Sequence, residues 1–461
     1  MEQTAGRFLL AGTGSGCGKT TVTCAVVQAL ADRGLRVGAF KCGPDYIDPM
    51  FHSRITGAKS ANLDGFFFSE NTLRYLLARN SRDRDVSVIE GVMGYYDGAG
   101  MTTARASTWE TGRTVGAPAV LAVSARGAAL SVLAVIQGFL TLEADSGIRG
   151  VILNHCSPMA YQSLAGAIRE RFGGRVEPLG FLPPMPECAL ESRHLGLVTA
   201  GEVEGLREKM GLLARQAERT IDLDGLLRLA DSAPPLRFDP VELPRYGERA
   251  RIAVARDRAF CFYYEDSLAA LEELGGELVP FSPLSDGALP ENIHGLLLGG
   301  GYPELYAADL ARNESMRRAV RAAVEAGLPC IAECGGFMYL TQAIGEHPMA
   351  GVLPGRCFDA GRLTRFGYVT LRAREDCLLC RAGEEIRGHE FHYWDAETPG
   401  GAFTARKPGG RTWDCAIAAK TLYAGYPHFH FYANPAFAVN FYEACLKEKK
   451  RHDGDNEAHG H

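Results

Sequence analysis

The sequence predicts an α/β protein with two doubly wound domains, each built on a largely parallel sheet. Three observations support this prediction. Through most of the 461 residues, short apolar runs of strand length alternate with amphipathic segments of helix length. The proline-rich stretch 231–248 interrupts this alternation once and has little periodicity of its own. Each half also contains a glycine-rich turn between a strand and a helix, where parallel sheets place their ligand sites.

Composition and charge exclude several classes of partner. Hydrophobic residues make up 46% of the chain and charged residues 23%, as in ordinary soluble globular proteins. The net charge of -6 provides no basic field for nucleic acid or an anionic membrane, and no apolar run is long enough to span a bilayer. The 13 scattered cysteines and the polar start of the chain indicate a reducing, cytoplasmic location. We therefore expect no nucleic-acid partner and no membrane partner.

Residues 1–230 form the first predicted domain. Its strands are short runs rich in Val, Ile, Leu and Ala, and Gly34 ends its first long helix, as glycine commonly does. We expect strands at Arg7–Leu10, Arg36–Lys41, Asp85–Glu90, Ala119–Ser124 and Gly150–Asn154, and a helix at Thr20–Arg33. Residues 231–248 are predicted to be a linker, because prolines interrupt both helix and strand patterns there.

The second predicted domain covers residues 249–446 and repeats the same rhythm, with more antiparallel strands in its last third. We expect strands at Arg251–Arg256, Gly276–Phe281, Gly295–Leu298 and Cys330–Glu333, and helices at Tyr264–Leu274, Met316–Ala326 and Gly335–Ala343. The tail 447–461 is charged and rich in turn formers, so we predict that it is disordered.

A phosphate-binding loop is predicted between the first strand and the first helix. Its sequence is Gly12-Thr13-Gly14-Ser15-Gly16-Cys17-Gly18-Lys19-Thr20. Backbone N–H groups and a helix N-terminus converge on phosphate in such a loop, the lysine contacts the β- and γ-phosphates, and the threonine binds Mg²⁺. We therefore predict ATP binding by Gly12, Thr13, Ser15, Gly18, Lys19, Thr20 and Thr21.

Four carboxylates follow strands of the first domain. Asp45 and Asp48 follow the second strand, Glu90 ends the third, and Asp97 lies seven residues further on. Because the carboxyl ends of parallel strands border the ligand crevice, these groups can hold Mg²⁺ and place an acceptor. We predict that Mg²⁺ binds to Thr20, Asp45, Asp48 and Glu90.

A nucleophilic cysteine is predicted in the second domain. Cys334 lies between an apolar strand and the pair Gly335-Gly336, the arrangement of a nucleophile elbow. The N–H of Gly335 can donate to an oxyanion, and the triple glycine that contains Gly300 and Gly301 follows another strand and can supply a second donor.

A catalytic thiol needs a base, and four histidines are candidates. The His428-x-His430 pair resembles the His-x-Glu with which triad class I glutaminases end, with His430 in place of Glu. We assign His428 as the general base and His430 as its orienting group, although another group can take the second role. The segment His389–His392 is the alternative, with a substrate-facing or structural role.

Together these motifs resemble the cobyrinic acid a,c-diamide synthase family of glutamine-dependent tetrapyrrole amidotransferases. The matching segments run in order from residue 5 to 445: GTxSxxGKT, KxGPDxIDP, EGVMGxxDG, RHLGL, GGGYPE, ECGGxMYL and HxH. The resemblance implies a P-loop NTPase-like domain of the dethiobiotin-synthetase type, followed by a class I glutamine amidotransferase-like domain. It implies a ligase in cobalamin biosynthesis. In the reaction that the resemblance implies, Cys334 releases ammonia from L-glutamine, ATP with Mg²⁺ phosphorylates a carboxylate, and ammonia displaces the phosphate.

The resemblance also suggests contacts with the substrates. A tetrapyrrole polycarboxylate needs cationic partners, for which Lys41, Arg193 and His194 are candidates. Asp97 is the candidate to position the acceptor, and Asn154 the candidate to contact adenine.

Three questions stay open at this point. Relatives of the same architecture amidate hydrogenobyrinic acid, nickel sirohydrochlorin or sirohaem, which the motifs do not separate from cobyrinic acid. A regulatory P-loop ATPase fused to an inactive amidotransferase-like module is a different class, and the intact Cys334 elbow disfavours it. A homodimer is neither indicated nor excluded.

Overall fold

A computed structural model describes residues 1–57, 60–189 and 205–459. The chain divides into two units, Met1–Val241 and Glu242–His461. The boundary between the units falls inside the proline-rich stretch 231–248.

The first unit alternates strands and helices as its sequence pattern predicts. Its strands are β1 (Glu2–Gln3), β2 (Arg7–Gly12), β3 (Val37–Cys42), β4 (Ala61–Leu63), β5 (Val86–Glu90), β6 (Ala119–Ser124), β7 (Ile148–Asn154), β8 (Glu177–Leu182) and β9 (Leu236–Arg237). Its helices are α1 (Lys19–Asp32), α2 (Ile47–Thr56), α3 (Glu70–Asn80), α4 (Thr108–Thr114), α5 (Ser131–Thr141), α6 (Pro158–Phe172), α7 (Leu206–Thr220) and α8 (Leu223–Asp231), with a 3₁₀ turn at Pro186–Cys188.

Seven strands of the described part of this unit form one parallel sheet in the order β4-β3-β5-β2-β6-β7-β8. All residues of β2, β3 and β5 are buried, as expected for a parallel sheet covered by helices on both faces. β2 lies at the centre between β5 and β6, so the glycine-rich loop that follows it opens at the carboxyl edge of the sheet.

The second unit also alternates strands and helices, as its sequence pattern predicts. Its strands are β10 (Ala250–Ala255), β11 (Gly276–Phe281), β12 (Gly295–Leu298), β13 (Cys330–Glu333), β14 (Ala343–Ile344), β15 (His347–Pro348), β16 (Arg356–Asp359), β17 (Arg365–Ala373), β18 (Glu385–His392), β19 (Trp394–Ala396), β20 (Phe403–Arg406), β21 (Thr412–Cys415), β22 (Ile417–Ala418), β23 (Leu422–Gly425) and β24 (His428–Phe429). Its helices are α9 (Glu265–Leu274), α10 (Ala307–Arg312), α11 (Glu314–Glu325), α12 (Gly335–Leu340) and α13 (Pro435–His459), with 3₁₀ turns at Pro303–Tyr306 and Phe431–Ala433.

Three sheets organise the described residues of the second unit. The order β11-β10-β12-β13-β23-β22 is parallel except at β22, which pairs antiparallel with β23. The order β21-β20-β17-β18-β24 is antiparallel throughout, and a small mixed sheet has the order β15-β14-β16-β19. The α/β class with two domains is therefore confirmed, including the antiparallel strands expected late in the chain.

The predicted disorder of the tail 447–461 is not what the structure contains. α13 continues through the described part of the tail to His459. The reason lies in local composition, because Lys447 and the residues that follow it up to Arg451 favour helix, and Glu448 pairs with Arg451 one turn later at 2.6 Å. Among the described residues, no helix is long and apolar enough to cross a membrane.

Candidate functional site

The glycine-rich loop after β2 has the backbone of a phosphate cradle. Gly18 has φ 89° and precedes the first residue of α1, and a Cβ there would overlap the amide of Asn154. At Gly12, a Cβ would overlap Cys17 and Lys19. Only glycine fits at these two positions, so the local sequence and the packing around the loop agree.

Two side chains hold this loop in place. Lys19 Nζ donates to the carbonyl of Gly14 at 3.0 Å, and burial lowers the pKa of Lys19 from its ordinary value. Asn154, at the end of β7, donates to the carbonyl of Cys17 at 3.0 Å and is buried. The adenine contact of Asn154 stays a prediction, and in this structure its amide supports the loop.

A buried charge network lies next to the loop, at the carboxyl ends of β3 and β5. Glu90 accepts hydrogen bonds from Thr20 Oγ1 at 2.7 Å and from Lys41 Nζ at 2.9 Å, and its other oxygen lies 2.8 Å from His52 Nε2. Lys41 Nζ also lies 2.6 Å from Asp48 Oδ2. Three of the four predicted Mg²⁺ ligands, Thr20, Asp48 and Glu90, therefore come together around one lysine.

Lys41, predicted as a cationic contact for the acceptor carboxylate, lies in the interior of the first unit. Its side chain is only 4% exposed, because β3 lies between β4 and β5. Burial opposes the charge on Lys41, but Asp48, Glu90 and Asp45 outweigh it and raise the pKa of the ammonium above its ordinary value. A buried ammonium needs such carboxylate partners, so Lys41 is an internal cation of this network.

The other predicted residues of this unit lie around the loop or outside the described ranges. Asp45 Oδ1 accepts the backbone N–H of Ile47 at 2.8 Å, at the start of α2. Asp97 is exposed and accepts the N–H of Gly94 at 2.7 Å, while Tyr95 N–H donates to the carbonyl of Gly12 at 2.9 Å. The loop that carries Asp97 is thus tied to the phosphate loop. Arg193 and His194 lie outside the described residues.

The elbow at Cys334 has the strained backbone that its motif predicts. Cys334 has φ 47° and ψ −101°, and its N–H donates to the carbonyl of Gly425 at 2.7 Å. A Cβ on Gly336 would overlap the carbonyl of Leu298, so α12 approaches β12 through glycine alone. A non-glycine residue at positive φ costs about 1–3 kcal/mol, and such strain typically marks a functional position.

The three predicted oxyanion glycines meet at this elbow. A Cβ on Gly335 would lie 3.1 Å from the backbone nitrogen of Gly301. A Cβ on Gly300 would overlap the Cε1 atom of His428. The glycine-rich turn after β12 therefore borders both the elbow and the predicted base.

His428 contacts both Cys334 and Glu333, a carboxyl group to which the sequence analysis assigned no role. Its Nδ1 lies 3.3 Å from Glu333 Oε2, and its ring also has a side-chain hydrogen bond with Cys334. Burial opposes protonation, but the charges and hydrogen bonds of Cys334 and Glu333 raise the pKa of His428 to about 10. The three side chains are arranged as a nucleophile, a base and an orienting carboxyl group.

His430 does not orient His428, contrary to our prediction. Its Nδ1 accepts the N–H of Tyr432 at 3.1 Å and caps the 3₁₀ turn, and burial lowers the pKa of His430 to about 3. The physical reason is that β24 ends at Phe429, so the extended spacing that would place His428 and His430 on one face does not continue. Glu333 takes the orienting position instead, and its place directly before Cys334 was the available signal.

The alternative histidines lie on the neighbouring strand. His389 is the cross-strand partner of His428, and burial followed by the positive charge of His428 lowers the pKa of His389 to about 3. His392 points to the other face, where its ring stacks on Tyr426 at 3.9 Å. Both are therefore neighbours of the elbow, and neither replaces His428 in the contacts with Cys334.

Comparison with known families agrees with both halves of this description. Residues 8–198 match the family described as a CobQ/CobB/MinD/ParA nucleotide binding domain, and residues 251–436 match a CobB/CobQ-like glutamine amidotransferase domain.

Curated relatives match almost the whole chain. A cobyrinate a,c-diamide synthase of Salmonella typhimurium is 42% identical over 454 residues, which cover 95% of this chain and 98% of that protein. The cobyrinate a,c-diamide synthase of Caldanaerobacter subterraneus subsp. tengcongensis is 40% identical over 446 residues, with the same coverage of 95% and 98%. That of Limosilactobacillus reuteri is 36% identical and covers 94% of this chain and 98% of its own. The resemblance drawn from the motifs is confirmed: the chain belongs to the cobyrinate a,c-diamide synthase family, a family of glutamine-hydrolysing ligases.

Proposed function

We propose that this protein uses ATP and glutamine to amidate the a and c side-chain carboxylates of cobyrinic acid through acyl phosphate intermediates. The observation that carries the proposal is the Cys334–His428–Glu333 arrangement in a chain whose other unit has a phosphate-binding loop. The names of the relatives support the choice of acceptor.

Ammonia is released in the second unit. The Cys334 sulfur attacks the carboxamide carbon of glutamine, and the N–H groups of Gly335 and Gly301 stabilise the oxyanion that forms. His428 donates its proton to the departing nitrogen as the C–N bond breaks. Water then hydrolyses the glutamyl thioester to glutamate and frees the thiolate for another cycle.

The acceptor carboxylate is activated in the first unit. A carboxylate is a poor acyl donor, so transfer of the γ-phosphoryl group of ATP supplies a leaving group that ammonia can displace. Lys19 and the backbone N–H groups of the loop bind the phosphates and stabilise the charge of the transferring group. Asp97, exposed on a loop tied to Gly12, positions the acceptor.

The donor set next to the phosphate loop suits magnesium. The hydroxyl of Thr20 and the carboxylate of Glu90 are hard oxygen donors, and their oxygens are already hydrogen-bonded to each other at 2.7 Å. Mg²⁺ is commonly bound through one or two protein oxygens together with substrate phosphates. We propose that Thr20 and Glu90 hold Mg²⁺, which neutralises phosphate charge when bound.

A panel of acceptors tests the function directly. Purified protein is incubated with ATP, Mg²⁺ and glutamine, and with cobyrinic acid, hydrogenobyrinic acid, nickel sirohydrochlorin or sirohaem in turn. We expect cobyrinic acid to give the highest kcat/KM, with two amide groups added per macrocycle by mass spectrometry and ATP consumed only when an acceptor is present. A clear preference for another macrocycle would keep the chemistry and change the acceptor. ATP consumption that needs no tetrapyrrole would contradict the proposal.

Glu333 provides a test of the glutaminase half. Glu333→Gln removes the negative charge beside Nδ1 and should lower glutaminase kcat by about ten- to a hundred-fold. Because Glu333 is one of the groups that raise the pKa of His428 to about 10, the imidazolium of the variant should lose its proton at lower pH. We therefore expect the alkaline limb of the glutaminase pH profile to move to lower pH.

His430→Asn is the matched comparison for Glu333→Gln. The amide oxygen of Asn can still accept the N–H of Tyr432, so the 3₁₀ turn keeps its cap. This variant should leave the alkaline limb in place, even if the folded fraction falls. If His430→Asn moved the limb and Glu333→Gln did not, the assignment of the orienting group would be reversed.

A further inference from the structure

The second unit exposes an aromatic surface on the antiparallel sheet. Phe366, on β17, is 51% exposed, and its ring lies 5.4 Å from the ring of its cross-strand partner Phe391. The ring of Phe391 lies 6.2 Å from that of Tyr393, and Leu363, just before β17, is 40% exposed. We call these four residues the aromatic patch. A contiguous exposed apolar patch typically marks a binding surface.

The position of the patch follows from strand alternation. On β18 the side chains of Glu390 and His392 are buried against the core, whereas Phe391 between them is only half-buried. Cross-strand partners share one face of a sheet, so Phe366 and Phe391 lie together on the outer face. The sequence places an aromatic residue at both positions of this pair, where a polar side chain would suffice for a surface that only meets water.

Cations surround the aromatic patch. Lys407 Nζ donates to the carbonyl of Phe366, and burial followed by the charge of Arg411 lowers the pKa of Lys407 from its ordinary value. Lys407 and Arg411 are joined by a backbone hydrogen bond of 2.9 Å in the turn between β20 and β21. Arg362, next to Leu363, is also exposed. In the described part of the chain, no carboxylate lies within ion-pair distance of Arg362, Lys407 or Arg411.

The patch begins close to the glutaminase residues. His428, His389 and Tyr368 are successive cross-strand partners on β24, β18 and β17. Phe391 lies two residues further along β18 on the same face as His389, so its Cα is about 8 Å from that of His428 by ordinary strand spacing. A ligand bound on Phe366 and Phe391 therefore lies near the place where ammonia is produced.

We propose that the aromatic patch, with Lys407, Arg411 and Arg362 around it, binds the ring face and peripheral carboxylates of the tetrapyrrole acceptor. A tetrapyrrole polycarboxylate offers a broad, flat apolar ring and anionic arms, which match aromatic side chains flanked by cations. The inference rests on the proposed function, which supplies the acceptor class, and adds where on the second unit the macrocycle binds.

Binding of cobyrinic acid to the full chain, without ATP or glutamine, tests this site. We expect Phe366→Ala and Arg411→Glu each to raise the Kd measured by calorimetry about ten-fold or more, and Arg411→Glu to weaken its dependence on salt. Glutaminase activity without acceptor should change less than about two-fold, because neither residue touches Cys334 or His428. The matched controls are Met159→Ala and Arg372→Glu, which should bind cobyrinic acid like the wild type. Met159 is exposed on α6, and Arg372 is exposed at the far end of β17.

Each outcome of this experiment has one meaning. If the wild type binds and amidates cobyrinic acid and both patch variants bind equally well, the site is wrong and the proposed function stands. If the wild type binds and amidates none of the four macrocycles, the proposed function fails and the site fails with it. If Phe366→Ala changes the oligomeric state in solution and leaves the Kd for cobyrinic acid unchanged, the aromatic patch is a contact between copies of the chain and the proposal is overturned.

Discussion

Cys334→Ser is expected to abolish glutamine-dependent amidation, with a loss of more than about 10³-fold, and to leave ammonia-dependent amidation near the wild-type rate. Serine keeps the approximate size of the side chain, but its hydroxyl is a much weaker nucleophile than a cysteine sulfur next to a histidine. The synthetase chemistry needs ammonia and not the thiol. The measurement is the initial rate of amide formation with saturating glutamine and, separately, with ammonium chloride at alkaline pH.

Cys377→Ser is the control for this variant. Cys377 is half-buried in the turn between β17 and β18, and replacing it should change neither rate by more than about two-fold. Loss of both activities in Cys334→Ser, in a protein that still melts cooperatively, would contradict a role of Cys334 that is confined to the release of ammonia from glutamine.

Lys19→Ala is expected to reduce amide formation by about 10²-fold or more with either nitrogen source, since the phosphate charge loses its principal cation. Lys19 Nζ lies 3.0 Å from the carbonyl of Gly14. Gly14 belongs to the loop that would enclose the phosphates. Glutaminase activity should survive in part, because Cys334 and His428 belong to the other unit. ATP-dependent amide formation and glutamate release are measured on the same preparation.

Lys209→Ala provides the matched control in the same unit. Lys209, on α7, is half-buried and donates to the carbonyl of Ala189 at 2.9 Å. Its replacement therefore removes a cation that does not belong to the phosphate loop. It should leave both activities close to wild type. Ammonia-dependent synthesis at the wild-type rate in Lys19→Ala would exclude this loop as the phosphate site.

Local patterns were sufficient for the elements that carry the two sites. The strand that ends at Gly12 and the strand before Cys334 were predicted within two residues of their observed ends, because buried parallel strands are short apolar runs. The need for glycine in the two turns was also predicted from the sequence. The structure agrees, since Gly18 and Gly336 have no space for a Cβ. The charged and turn-forming residues of the tail indicate disorder. The helix propensity of the same segment prevails in the structure, where α13 continues to His459.

Contacts between residues that are distant in sequence were harder to predict from the sequence. Lys41 was expected to face substrate, and the structure encloses it between carboxylates, because the position of β3 inside the sheet is decided by strand order. His430 was expected to orient His428, and a two-residue strand followed by a 3₁₀ turn gives that place to Glu333. In both residues the chemical type was recognised correctly and the partner was not.

The sequence by itself therefore determined the α/β class and the two glycine-rich turns, and it singled out Lys19, Thr20 and Cys334 as candidates, because each of these depends on neighbours within a few positions. Tertiary structure decided which side chains meet: Glu90 with Lys41, Glu333 with His428, and Phe366 with Phe391. These contacts join residues that are 25 to 95 positions apart. Strand order and register set such distances, and burial then selects the charge partners, since an unpaired charge in the interior is too costly to remain.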